Sequence, residues 1–105
     1  MPFASPDERA IHFQKHGHEF GAANEVEYEQ MADAFMVRAM NITMRECTRP
    51  NNTDRVRLDI SNDHFGVAIV QSTTVKTFYI VPFFKIHRRG GKLPFFAYEC
   101  ARTDL

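Results

Sequence analysis

The chain has no tryptophan, only two cysteines and no net charge across 105 residues. Each shortage excludes something. Cys47 and Cys100 are too few and too far apart to match the paired spacing of a zinc or thioredoxin-type redox site. Two buried thiols in a reducing compartment are the expectation, with a single disulfide as the alternative. No apolar run approaches the about 18 residues that a membrane span needs. The opening residues, 1–8, lack the basic and apolar regions of a signal peptide. Thirteen basic residues balance thirteen acidic ones, so bulk charge attracts no polyanion and any basic face must come from placement. A cytosolic protein, or a domain cut from a larger one, is the default.

What is present describes one domain over residues 1–105. Apolar residues make up 44% and charged residues 25%, ordinary for a globular chain long enough to bury a core. Ten phenylalanines predict a core built on Phe. Ser5-Pro6-Asp7-Glu8 reads as a capped helix start, with the helix running to about His16 and Gly17 as its left-handed stop. A second start at Asn24 precedes Tyr28, Met31, Ala32, Phe35, Met36 and Ala39, an apolar stripe at helical spacing that runs to about Met40. Alternation then predicts strands over 42–48, 55–60, 65–70 and 75–81, separated by polar turns, and a last edge strand over 94–100. Two helices followed by four or five short strands predict an α+β fold. The helices are expected to pack on one face of an antiparallel sheet.

The densest chemistry lies in residues 12–19, where three of the five histidines stand with a lysine and a glutamate. On a helix, His12, Lys15 and His16 share one face in the last turn, where the helix dipole favours positive charge. If Val56, Leu58, Phe78 and Ile80 face the helices, the other sheet face carries Arg55, Arg57, Asp59, Thr77 and Tyr79. Guanidinium, hydroxyl and phenol groups bind phosphate and its transition-state charge. With a His/Lys helix end beside them they would supply acid, base and anion clamp, the set that metal-free RNA cleavage needs. Arg88, Arg89 and Lys92, in a Gly-Gly turn, could track an RNA backbone. Simpler readings stand beside these: a solvated basic turn, a wet sheet face, and exposed His18, His64 and His87. His12, His16 and His18 could instead share a zinc ion, although Phe13 stands where the metalloprotease motif has glutamate.

The runs His12-x-x-Lys15-His16-Gly17-x-Glu19-Phe20 and Glu27-Tyr28-x-x-Met31-Ala32-x-x-Phe35 resemble the opening of ribonuclease domains in polymorphic and contact-dependent bacterial toxins and some phage proteins. These form the barnase/EndoU/colicin/RelE-like group. Arg57-x-Asp59-x-x-Asn62-x-x-Phe65-Gly66-Val67 and Val75-Lys76-Thr77-Phe78-Tyr79 then resemble the group's arginine, Phe-Gly-Val and Thr-Phe-Phe strands, in order. The resemblance spans residues 12–79. It implies a metal-independent RNA endonuclease without a cofactor, often directed at tRNA and neutralised by a cognate immunity protein. Its place of action would be the cytoplasm, including that of a target cell entered as part of a larger toxin.

Carried over, His12, Lys15 and His16 would be the helix-borne catalytic set, with Thr77 and Tyr79 opposite. Cleavage would proceed by 2′-hydroxyl attack to a 2′,3′-cyclic phosphate. The residues' own chemistry, apart from the resemblance, makes Arg57, Arg88 and Arg89 the expected ligands of substrate phosphate. Two departures stand out: Gln71-Ser72-Thr73-Thr74 replaces the usual Asp-Gly turn, and Tyr79-Ile80-Val81-Pro82 replaces the Phe/Tyr-Lys-Pro ending. Residues 83–105 have no assigned counterpart. The rival readings are an RNA- or protein-binding module of the same fold without turnover, and a metal-dependent hydrolase using the histidine cluster.

Overall fold

A computed structural model describes residues Met1–Leu105 as four helices and one four-stranded antiparallel sheet, an α+β fold. Helix α1, Pro6–His16, starts where the Ser5 hydroxyl accepts the Glu8 amide at 3.1 Å, with Pro6 in the first turn. Gly17 does not stop it. Its φ of −56° is right-handed, and the chain tightens into a 3₁₀ turn, Gly17–Phe20, before Gly21 ends it at φ 67°. Gly17 is instead a packing glycine: a Cβ there would lie 2.4 Å from Phe13 Cδ1.

Helix α2, Glu25–Val37, is capped by Asn24, whose side chain accepts the Glu27 amide at 2.9 Å. Its stripe buries Tyr28, Ala32, Phe35 and Met36. The helix ends before Met40 because the Arg57 guanidinium takes up its terminal carbonyls, donating to Phe35 O at 3.1 Å and Arg38 O at 2.7 Å.

Four strands follow, β1 (Met44–Thr48), β2 (Asp54–Asp59), β3 (His64–Ile69) and β4 (Thr74–Ile80), paired in sequence order as a meander. The fifth strand expected over 94–100 does not form. That segment belongs to α4, Lys92–Ala101, preceded by α3, Phe83–Arg89. The deciding pattern is Phe95 and Glu99, four residues apart and both buried, which is helical spacing. Pro94 falls in the first turn, where its missing N–H costs no hydrogen bond. Gly90 and Gly91, at φ 95° and 128°, make the sharp link between the helices.

These two helices change the meaning of the sheet, since α1 and α2 cover one face and α4 covers the other. Directly paired residues share a face. Leu58 pairs with Phe65 and Phe65 with Tyr79, whereas Arg57 pairs with Gly66 and Gly66 with Phe78. Val56, Leu58, Phe65 and Val67 therefore build a second core with Ile86 and Phe95, while Phe78 joins Phe3, Tyr28 and Phe35 in the first. The expectation that Val56 and Leu58 share a face with Phe78 is thus corrected. With both faces covered, the alternation of β2 cannot tell which side holds α2.

Cys47 and Cys100 form a disulfide between β1 and α4, with Cα atoms 6.1 Å apart, in place of the two free thiols expected. Cys47 pairs with Val56 and so projects towards α4. Nearby, buried Arg49 donates to Glu99 Oε1 at 2.8 Å and to Asp54 Oδ2 at 3.2 Å, fixing α4 to the β1–β2 turn. No helix is long and apolar enough to cross a membrane.

Candidate active site at the edge of the sheet

Strand β4 is an edge strand, and the end of α1 lies against it. The 3₁₀ turn carries Glu19 back towards the strand, where Glu19 Oε1 accepts the Ile80 amide at 2.8 Å. Its other oxygen lies 2.6 Å from His16 Nδ1. A carboxylate only accepts, so His16 Nδ1–H donates to Glu19 and Nε2 is left as the free basic nitrogen. The His16 ring stacks on Tyr79, centroids 5.1 Å apart. One residue-to-backbone anchor therefore fixes both the tautomer and the plane of this imidazole.

His12 extends the row. Its ring lies 6.5 Å from His16 on one side and 5.0 Å from Phe3 on the other. Burial lowers its proton affinity, opposed by Glu8, whose carboxylate lies 3.8 Å from Nε2, and reinforced by the charges of His16 and Lys15. His12 Nδ1 is buried without a hydrogen-bond partner. Lys15 is exposed and enters no ion pair. Phe3, His12, His16 and Tyr79 thus form a stack that crosses from α1 to β4.

Tyr79 is the pivot between three concavities. A cleft of about 370 Å³ opens on the His16 side, lined by His16, Glu19, Tyr79, Pro82 and Lys85. A tighter one, about 170 Å³, brings Tyr79 together with Lys85, Arg88, Arg89, Tyr98 and Arg102. The third, about 270 Å³, contains Thr77 with Arg49, Lys76 and Arg102. Lys85 Nζ lies 4.9 Å from the Tyr79 ring centroid, and Arg89 sits 3.4 Å over the Tyr98 ring. Burial, with Glu99 nearby, pushes the Tyr79 phenol up to about 12, so it stays protonated at neutral pH and can donate a hydrogen bond.

Of the residues the sequence singles out, the structure brings His16 against Tyr79 and Tyr79 into one cavity with Arg88 and Arg89, while His12 stands one ring behind His16 and lines none of the three concavities. Thr77 shares a face of β4 with Tyr79 but opens into the neighbouring cavity. Arg57 does not belong. It is buried on the opposite face, where it caps α2 and pairs with Glu46 at 2.9 Å, so its expected role as a phosphate ligand is corrected to a structural one. Arg88 and Arg89 close α3 and are not part of a flexible turn. His12, His16 and His18 do not gather into a set of three metal-ligating groups.

Sequence reading missed the parts played by Glu19 and Lys85. Glu19 stands three residues after His16, a helical spacing hidden once Gly17 was taken as a stop. Lys85, Arg88 and Arg89 have i, i+3, i+4 spacing, the signature of a helical face in a segment expected to be a turn. A comparison with known proteins finds no matching family model, no similar curated protein and no matching solved structure.

Proposed function

We propose that this chain is a metal-independent endoribonuclease that cleaves by attack of a ribose 2′-hydroxyl on the adjacent phosphate. The observation that carries the reading is the Glu19-held His16 imidazole, stacked on Tyr79, whose other side lines a cavity with Lys85, Arg88 and Arg89. His16 Nε2 takes the 2′-hydroxyl proton as the 2′-oxygen bonds to phosphorus. The bond from phosphorus to the 5′-oxygen then breaks, leaving a 2′,3′-cyclic phosphate, and the proton taken by His16 returns through solvent to the departing oxygen, while the His12 ring stacks behind that of His16. Lys85, Arg88 and Arg89 stabilise charge on the phosphorane, the Tyr79 phenol donates to it, and Lys15 approaches from solvent. Thr77 positions the strand further along β4.

The resemblance of residues 12–79 to toxin ribonucleases supports the same reading, and with it tRNA as a candidate substrate. An acidic immunity protein would cover the cationic cleft, and the cytoplasm, including that of a target cell, would be the place of action. Incubation of purified protein with total tRNA in EDTA is expected to produce nicks with cyclic phosphate ends. His16→Ala should slow cleavage about 100-fold or more. Intact tRNA, or equal cleavage by His16→Ala, would contradict the mechanism. A binding module without turnover is the second reading, favoured by one observation: the α4 side of the sheet, onto which Thr77 and Tyr79 project, is covered. It requires RNA binding that survives with no nicks at any enzyme concentration.

A further inference from the structure

We infer that α3 is a stacking platform for unpaired nucleotides, extending the cleft beyond the scissile phosphate. The idea rests on the ribonuclease reading but adds two residues, Phe83 and Phe84, that reading does not use. Phe83 and Phe84 are 77% and 62% exposed, the most exposed pair of neighbouring aromatic residues in the chain. They follow Pro82, which lines the His16 cleft, so the platform begins where the cleft ends. Ile86 is the buried residue of this helix, anchoring it to the second core. With that face fixed, helical phase turns Phe84 outward and places Lys85, Arg88 and Arg89 along the cavity they share with Tyr79. Phe83 stacks on His87 at 5.7 Å, which holds its ring upright on the surface.

Charge selects the occupant. Lys85, Arg88 and Arg89 enter none of the ion pairs of the molecule, whereas Arg49 pairs with Asp54 and Glu99, and Arg102 with Glu99 and Asp104. Flat apolar rings alternating with uncompensated cations fit a strand whose bases are exposed and whose backbone is anionic. A duplex, with its bases stacked inside, would present only phosphates and leave the rings in water. A protein partner would have to bring carboxylates to three cations within two turns.

Binding separates this inference from the nuclease reading. His16→Ala protein, which prevents turnover, is titrated with a labelled single-stranded RNA about a dozen nucleotides long and with the matching duplex. The strand is expected to bind about tenfold or more tighter than the duplex, and Phe83→Ala with Phe84→Ala to abolish that difference. The same double substitution in the otherwise native chain should leave cleavage of a dinucleotide unchanged, because a dinucleotide spans the scissile phosphate alone and engages neither the Phe83 nor the Phe84 ring. Equal affinity for strand and duplex, or unaltered strand binding by the double variant, overturns the platform. Failure to bind either RNA overturns it too and assigns the face to a protein. Strand binding without any cleavage by the native chain keeps the platform and sinks the nuclease reading.

Discussion

At the residue scale, the account turns on which polar side chains face the cleft and which hold the fold. Glu19 does both, accepting from His16 Nδ1 and from the Ile80 amide. Glu19→Gln keeps the shape but replaces an acceptor with a group that can also donate, so the imidazole loses its fixed tautomer. Cleavage should fall about tenfold or more while the melting temperature changes little, measured by initial rates and thermal unfolding. Arg57 behaves in the opposite way. Arg57→Ala leaves the Phe35 and Arg38 carbonyls without their partner and Glu46 with Arg55 alone, and should cost about 2–4 kcal/mol of stability in urea unfolding. The folded fraction should keep its rate. Lost activity with unchanged unfolding would return Arg57 to the phosphate. Residue type and mid-strand position alone point to Arg57 as a phosphate ligand. Only strand pairing shows that it shares a face with Phe78, away from Tyr79.

At the scale of elements, local signals were legible and their partners were not. Ser5 and Asn24 cap the helices that their spacing predicts, and the stripe on α2 is the core face expected of it. The four central strands lie within a few residues of the alternating segments. What differs is the segment after Pro82, where Pro94-Phe95-Phe96 reads as an edge strand while Phe95 and Glu99, four residues apart, make helix. That one error hid the cover on the second face, and so hid the closing of Cys47 with Cys100. The bridge encloses 53 residues of separation and ties α4 to β1. Replacing both cysteines with serine should lower the unfolding free energy by about 3–4 kcal/mol, read from the urea midpoint. A change near zero would mean that the Arg49–Glu99 pairing alone holds α4 in place.

For the molecule as a whole, burial of ionisable groups on both sides of the sheet gives a defined acid sensitivity. Burial lowers the proton affinity of His12 and of His64. The unfolded chain therefore binds more protons than the folded one as pH falls from about 6.5, and stability is present above that pH and lost below it. Asp54 and Asp59 add to the loss at lower pH. Burial alone would raise both, but hydrogen bonds from Lys76 and Arg49 to Asp54, and from Ser61 to Asp59, hold them below the ordinary carboxylate range. Urea midpoints should fall between pH 7.5 and 5.5, each about a unit from the ordinary histidine value, and His12→Gln with His64→Gln should flatten that slope. A midpoint that rises on acidification would contradict the burial of these rings. The central claim concerns His16. Its most direct measurement is single-turnover cleavage of tRNA in EDTA by the native chain and by His16→Ala, with the new ends analysed chemically. The expected result is 2′,3′-cyclic phosphate from the native chain and a rate about 100-fold or more lower for the variant. Cleavage by both at one rate, or cleavage that stops with chelator, would contradict it.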